Sequence, residues 1–156
     1  MDAEADTPPL VSFHTGVNET VGHTERLVRK AVSQGLRVCV TARPEVVAEL
    51  DERLWTAVPD SFMPHAVWNG TGLSVALLKH TGVWLWPSTG DGELPWPPDL
   101  RATVWVNVAT DVQFQRPWDK HIEVVPAQGE GRGLGQRRWT RFKQLGWRVE
   151  HHAVTT

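Results

Sequence analysis

The sequence predicts an α/β fold: a single three-layer domain with a mostly parallel central sheet and a hairpin insertion in the middle. Three observations predict it. The first 56 residues alternate strand, helix, strand, helix. Arg101 to Ala109 carries apolar residues at consecutive positions (Val104, Trp105, Val106, Val108), the pattern of a strand covered on both faces. A second strand–helix unit then closes the chain. Taken in order, Leu10 to His14 is the first strand. Val21, Thr24, Leu27, Val28 and Ala31 form a helical stripe that Gly35 is placed to end. Arg37 to Thr41 is a short, β-branched second strand. Pro44 suits a first helical turn, and Val47, Leu50 and Leu54 repeat at helical spacing up to Thr56. Pro59 stops that helix. In the middle, Leu73 to Leu78 and Val83 to Trp86 flank Lys79-His80-Thr81-Gly82 as the two arms of a hairpin. Ser88 to Pro98 reads as loop, and Asp111 to Trp118 as a turn or short helix. Ile122 to Val125 is a strand, Leu134 to Leu145 a helix, and Trp147 to Val149 a last strand. This is a Rossmann-like order of elements.

Composition narrows the function. At 156 residues, one domain with a real core is expected, spanning residues 10–152 behind a flexible tail of residues 1–9 that carries no charged-then-apolar leader. No apolar run is long enough to span a bilayer. A single cysteine, Cys39, excludes an internal disulfide framework and lies in an apolar run where a small buried residue is expected. The net charge of -2 argues against a protein that coats nucleic acid. The charge is uneven, however: residues 1–60 carry a net -4, and residues 130–150 a net +4. A local basic patch on a mildly acidic chain suits an anionic partner segment. Of the nine tryptophans, Trp84, Trp86 and Trp105 lie in apparent strands and Trp96 between two prolines, so most of them read as packing groups and not as stacking platforms for bases.

Enzyme readings find little support. Gly129 to Gly135 lies between a strand and a helix, where a dinucleotide loop would sit, so a nucleotide-binding α/β enzyme is the alternative reading. The GxGxxG spacing fails at Leu134 and again at Gln136, and no Walker motif exists. The glycines read as a flexible lead-in. The seven histidines are scattered, with no HxxxH pair, and His151 and His152 point to opposite faces if extended. No serine has a nucleophile-elbow context. Neither a catalytic residue, nor a metal, nor a cofactor is expected.

Two surfaces remain. The helix ending LDERLWT is followed by a Pro turn and then Ser61-Phe62-Met63-Pro64-His65, which places a second aromatic seven residues after Trp55. These rings could equally belong to the core. On the late helix, Arg132, Gln136 and Lys143 form a stripe beside the arc Leu134, Gly135, Phe142, Leu145 and Gly146, with Trp139 at the border. A ring beside cationic and amide donors suits an acidic peptide with an apolar end group. A solvated basic helix face accounts for the same stripe.

LDxxLW followed by SFxPH resembles the chi subunit of bacterial DNA polymerase III holoenzyme, an accessory of the clamp loader. The resemblance returns at Ile122-Glu123-Val124-Val125 and again at Arg138-Trp139-x-x-Phe142-x-x-x-Gly146. It implies a non-catalytic, cytoplasmic DNA replication protein that links single-stranded DNA-binding protein to the clamp loader, with mainly indirect DNA contact and no membrane association. It implies that Val125, Arg132, Gln136, Trp139 and Thr140, with Lys143 beside them, receive the acidic, Phe-terminated tail of single-stranded DNA-binding protein. The family pattern prefers basic residues where this chain has Gln136 and Thr140, which implies a shifted or weaker pocket. Arg137, Arg138, Arg141 and Lys143 stand near enough to compensate. Trp55, Phe62, Pro64 and His65 match the surface that contacts the psi subunit, or in some members a helicase-like protein.

Overall fold

The computed structural model describes residues 8–56, 65–67, 82–88, 92–93, 103–113 and 118–154. The elements are β1 (Leu10–Val17), α1 (Thr20–Ser33), β2 (Val38–Ala42), α2 (Pro44–Thr56), β3 (His65–Val67), β4 (Val83–Pro87), β5 (Gly92–Glu93), β6 (Val104–Val108), β7 (Val112–Gln113), β8 (Lys120–Pro126), α3 (Glu130–Gln144) and β9 (Arg148–Ala153). Seven strands form one sheet in the order β3-β4-β2-β6-β8-β1-β9. Every pairing in it is parallel. This is the parallel α/β architecture that the alternation of elements predicts.

Alternation along the strands divides the interior. Val38, Val40, Ala42, Val83, Leu85, Val104, Val106, Val108, Ile122 and Val124 join the core under α1 and α2. α2 contributes Val47, Leu50 and Leu54 to it, each at most 3% exposed. Val11, Phe13, Val125 and Phe142 form a second cluster beneath α3 on the other face. β2 and β6 are buried at every position because both of their faces are covered. Gly35, at φ +78°, closes α1 in the left-handed conformation. The Leu36 N–H then donates to Ala31 O at 3.0 Å and the Gly35 N–H to Val32 O at 2.9 Å.

Four local expectations need correction. Val83 to Trp86 is not visibly a hairpin arm: it lies within β4 and pairs in parallel with β2 and β3. A run apolar on both faces fits a covered interior strand equally well. The other arm, Leu73 to Leu78, and residues 79–81 lie outside the described residues. Within the expected loop, Gly92–Glu93 pairs in parallel with Val112–Gln113, so residues 112 and 113 are strand and not turn or helix. A two-residue pairing is too short to show periodicity. α3 starts at Glu130, four residues before the apolar pattern begins. Its buried residues are Gly135, Arg138 and Phe142, whereas Leu145 is 55% exposed. Leu145 is the C-cap, and Gly146 at φ +82° turns the chain there, so the helical arc does not extend to it.

Candidate functional site

The late helix sits close to its strand because two of its residues lack side chains. A Cβ on Gly135 would lie 2.6 Å from Val125 Cγ1, and one on Gly131 would lie 2.7 Å from Pro126 Cγ. Gly131 and Gly135 are therefore contact residues one helical turn apart, and not the flexible lead-in that their abundance suggests.

A cavity of about 660 Å³ opens beside this contact, between α3, the C-terminal ends of β1 and β8, and β9. Val125, Arg132, Gln136, Trp139 and Thr140 all line it. Lys143 lies outside the lining and places Nζ 5.1 Å from the centroid of the Trp139 ring. The remaining wall comes from residues that α3 alone does not reveal, chiefly Phe13 and Thr15 of β1 and His151 of β9. Phe13 meets Trp139 edge-on with ring centroids 5.2 Å apart. His151 meets the same indole at 5.7 Å and 83°, and its Nε2 is 2.5 Å from Thr15 Oγ1. These partners are distant in sequence and meet only because β9 pairs with β1 in the register Phe13–His151. Among the described residues, the lining contains Arg132 and no acidic residue. A shallower groove continues from Gln136 and Thr140 to Arg137 and Arg141 along the outer face of α3.

Arg138 is elsewhere. It is 5% exposed and points under the helix, where Nε donates to Glu123 Oε1 and one terminal nitrogen donates to Val112 O at 2.9 Å. Asn107 Nδ2 donates to Glu123 Oε2 at 2.7 Å, and Thr41 Oγ1 donates to Asn107 Oδ1 at 2.7 Å. Burial raises the Glu123 carboxyl, but the Arg138 charge and the His121 and Asn107 contacts outweigh it and hold the group below the usual carboxylate range. Burial depresses His121, which is therefore neutral. This polar system is internal, so Arg138 cannot serve the cavity in place of the missing bases at 136 and 140.

At the second expected surface, Trp55 is 53% exposed at the end of α2. Its ring centroid lies 4.7 Å from that of His65, and His65 Nε2 is 2.9 Å from Asp51 Oδ1. Phe62 and Pro64 lie outside the described residues. Trp84, Trp86 and Trp105 are buried, as packing groups should be.

Two further cavities differ in charge. One of about 450 Å³ lies at the ends of β2, β6 and β8 and includes Glu45, Asp111 and Glu130. Another, of about 500 Å³, collects His14, His23, His152 and Glu150 on the α1 face. The sequence scatters these histidines; the fold brings His14 Nδ1 within 2.9 Å of His23 Nε2. Among the described residues, no group of three ligating side chains is arranged to hold a metal ion. No described helix is long and apolar enough to cross a membrane.

Fold and site together define a class: a parallel α/β domain with an apolar-floored, Arg-bearing cavity beside its last helix. Residues 9–150 match the sequence model of the DNA polymerase III chi subunit, HolC, and the chain belongs to that family. It is thus a DNA replication accessory protein, and its partners are single-stranded DNA-binding protein and clamp-loader components. No curated protein gives a significant match to the chain.

Proposed function

We propose that the cavity beside α3 receives the acidic C-terminal tail of single-stranded DNA-binding protein, and that this contact links the tail to the clamp loader in the bacterial cytoplasm. One observation carries the reading: a cavity floored by Phe13, Val125 and Trp139 has Arg132 at its wall and, among the described residues, no carboxylate in its lining. A terminal phenylalanine ring would enter the apolar floor. The terminal carboxylate would meet Arg132, and the preceding acidic residues would run along the Arg137 and Arg141 groove. Gln136 and Thr140 contribute hydrogen bonds without charge, so affinity is expected at the micromolar scale, where tethering to the replication assembly supplies local concentration. The exposed Trp55 indole at the end of α2, backed by the buried His65 side chain, is the docking point for the clamp-loader side, a psi subunit or a helicase-like protein.

The test is calorimetry with an acidic peptide ending in phenylalanine, alongside a pull-down with full-length single-stranded DNA-binding protein and a form lacking its last residues. Binding is expected to weaken as salt rises and to require the tail. The double variant Arg132→Glu, Lys143→Glu should weaken it at least tenfold, since an attraction becomes a repulsion at the cavity wall. Unchanged peptide binding in that variant would remove the pocket assignment. Tail-independent association would remove the function.

A further inference from the structure

We infer that His151 is a ligand-binding residue of the α3 cavity, and that its ring N–H donates a hydrogen bond to the acidic terminus beside Arg132. The inference rests on the tail-binding reading above and deepens it. Arg132 is the one permanently charged side chain in the lining, while Gln136 and Thr140 are neutral. An acidic terminus presents several carboxylates, so this wall is short of positive charge. Among the described lining residues, His151 adds a ring-nitrogen donor to that wall.

Its position is built. The Thr15 hydroxyl on β1 engages Nε2 at 2.5 Å, and the Trp139 edge on α3 holds the ring at 5.7 Å and 83°. Nδ1 has no hydrogen-bond partner among the described residues. With Nε2 accepting from the Thr15 hydroxyl, the Nδ1–H is left to meet a carboxylate. Among the described residues, the groups facing His151 bring no competing negative charge. β1 offers Thr15 and Phe13. α3 offers Trp139 and Arg132 on the cavity, with Lys143 over the indole. On β9, Glu150 and His152 line the cavity on the opposite face of the sheet. The Glu150 carboxylate is engaged there by Ser12 Oγ at 3.2 Å and His152 Nε2 at 3.4 Å. His151 is solvent-exposed, which keeps the effect moderate.

The experiment titrates the full chain with the phenylalanine-terminated acidic peptide, using wild type, His151→Phe and His151→Asn. His151→Phe keeps the ring area and loses the donor, so it should bind about three- to tenfold more weakly than wild type. His151→Asn places an amide N–H where Nδ1 stands and should keep most of the affinity. Unchanged binding in His151→Phe would overturn the assignment, as would an equal loss in His151→Asn and His151→Phe, which would mark a purely steric role. Wild-type protein that did not bind the peptide would instead overturn the pocket reading and take this assignment with it.

Discussion

At the scale of single residues, the ion pair between Glu123 and Arg138 decides how α3 sits. The two side chains are 3% and 5% exposed and bond directly. Asn107, Thr41 and Trp105 extend the system inward: Trp105 Nε1 donates to Thr41 Oγ1 at 2.9 Å. Replacing one partner leaves a buried, uncompensated charge. Arg138→Met should therefore lower unfolding stability by about 3–5 kcal/mol, and Glu123→Leu in the Arg138→Met background should recover much of that loss. Urea titration of the two single variants and the double variant checks this. The pair was not legible in the sequence. A cationic side chain on an Arg-rich helix reads as solvated, and nothing in the local string shows that a carboxylate lies beneath it. Trp139 was legible as a border ring because its angular position follows from helical spacing alone.

At the scale of elements, α3 shows propensity yielding to packing. Three glycines in its first turns weaken it as an isolated helix by roughly 0.5–1 kcal/mol each relative to alanine. Their tertiary roles differ. A methyl group at 135 would strike both Val125 methyls, at 2.6 and 2.7 Å, and Val125 is itself buried in the cluster with Val11, Phe13 and Phe142. Gly135→Ala should thus destabilise by about 1–3 kcal/mol despite its better propensity. At 133 the nearest atom is the mobile Arg137 guanidinium at 3.6 Å. Gly133→Ala should stabilise by about 0.5–1 kcal/mol. Thermal unfolding of both variants makes the comparison, and equal shifts would show that the approach of α3 to β8 is not tight. The α1–α2 pair follows the opposite logic. Its apolar stripes were readable from spacing, and Arg53 then ties the helices together through Glu25 at 3.6 Å and Glu19 at 3.7 Å.

At the scale of the whole molecule, the histidines link stability to acidity. His14 is pushed down to about 4, first by burial and then by the charges of His23, His152 and Lys120. His23 and His121 are lowered as well, again chiefly by burial. Unfolded histidines take up protons below about 6.5, whereas these three resist doing so in the fold. The unfolded state then binds more protons, so stability is complete above that value and falls as the pH drops toward 4. Glu123 acts in the same direction at still lower pH, because its depressed carboxyl must be protonated to release Arg138. The midpoint of thermal unfolding should fall between pH 7 and pH 5, and His14→Asn should flatten that fall. A midpoint that is independent of pH would show that the histidine cluster is freely solvated. The same geometry separates the two faces: His151 lines the α3 cavity, while its neighbour His152 lines the cavity behind the sheet with His14 and His23.

Read by itself, the sequence determined the α/β class, the order of the main strands and helices, the buried stripes of α1 and α2, and the place of one ring-and-cation border on the last helix. These are properties of short segments, written in periods of two or 3.6 residues and in the positions of Gly and Pro. Tertiary structure alone decided which strands lie side by side, so that Phe13, Thr15 and His151 meet Trp139 around one cavity. It also decided that Arg138 turns inward and that two glycines are contact points. The reason is distance along the chain: β1 and β9 lie at opposite ends of it, and no local pattern encodes a register set by burying the faces of a seven-stranded sheet.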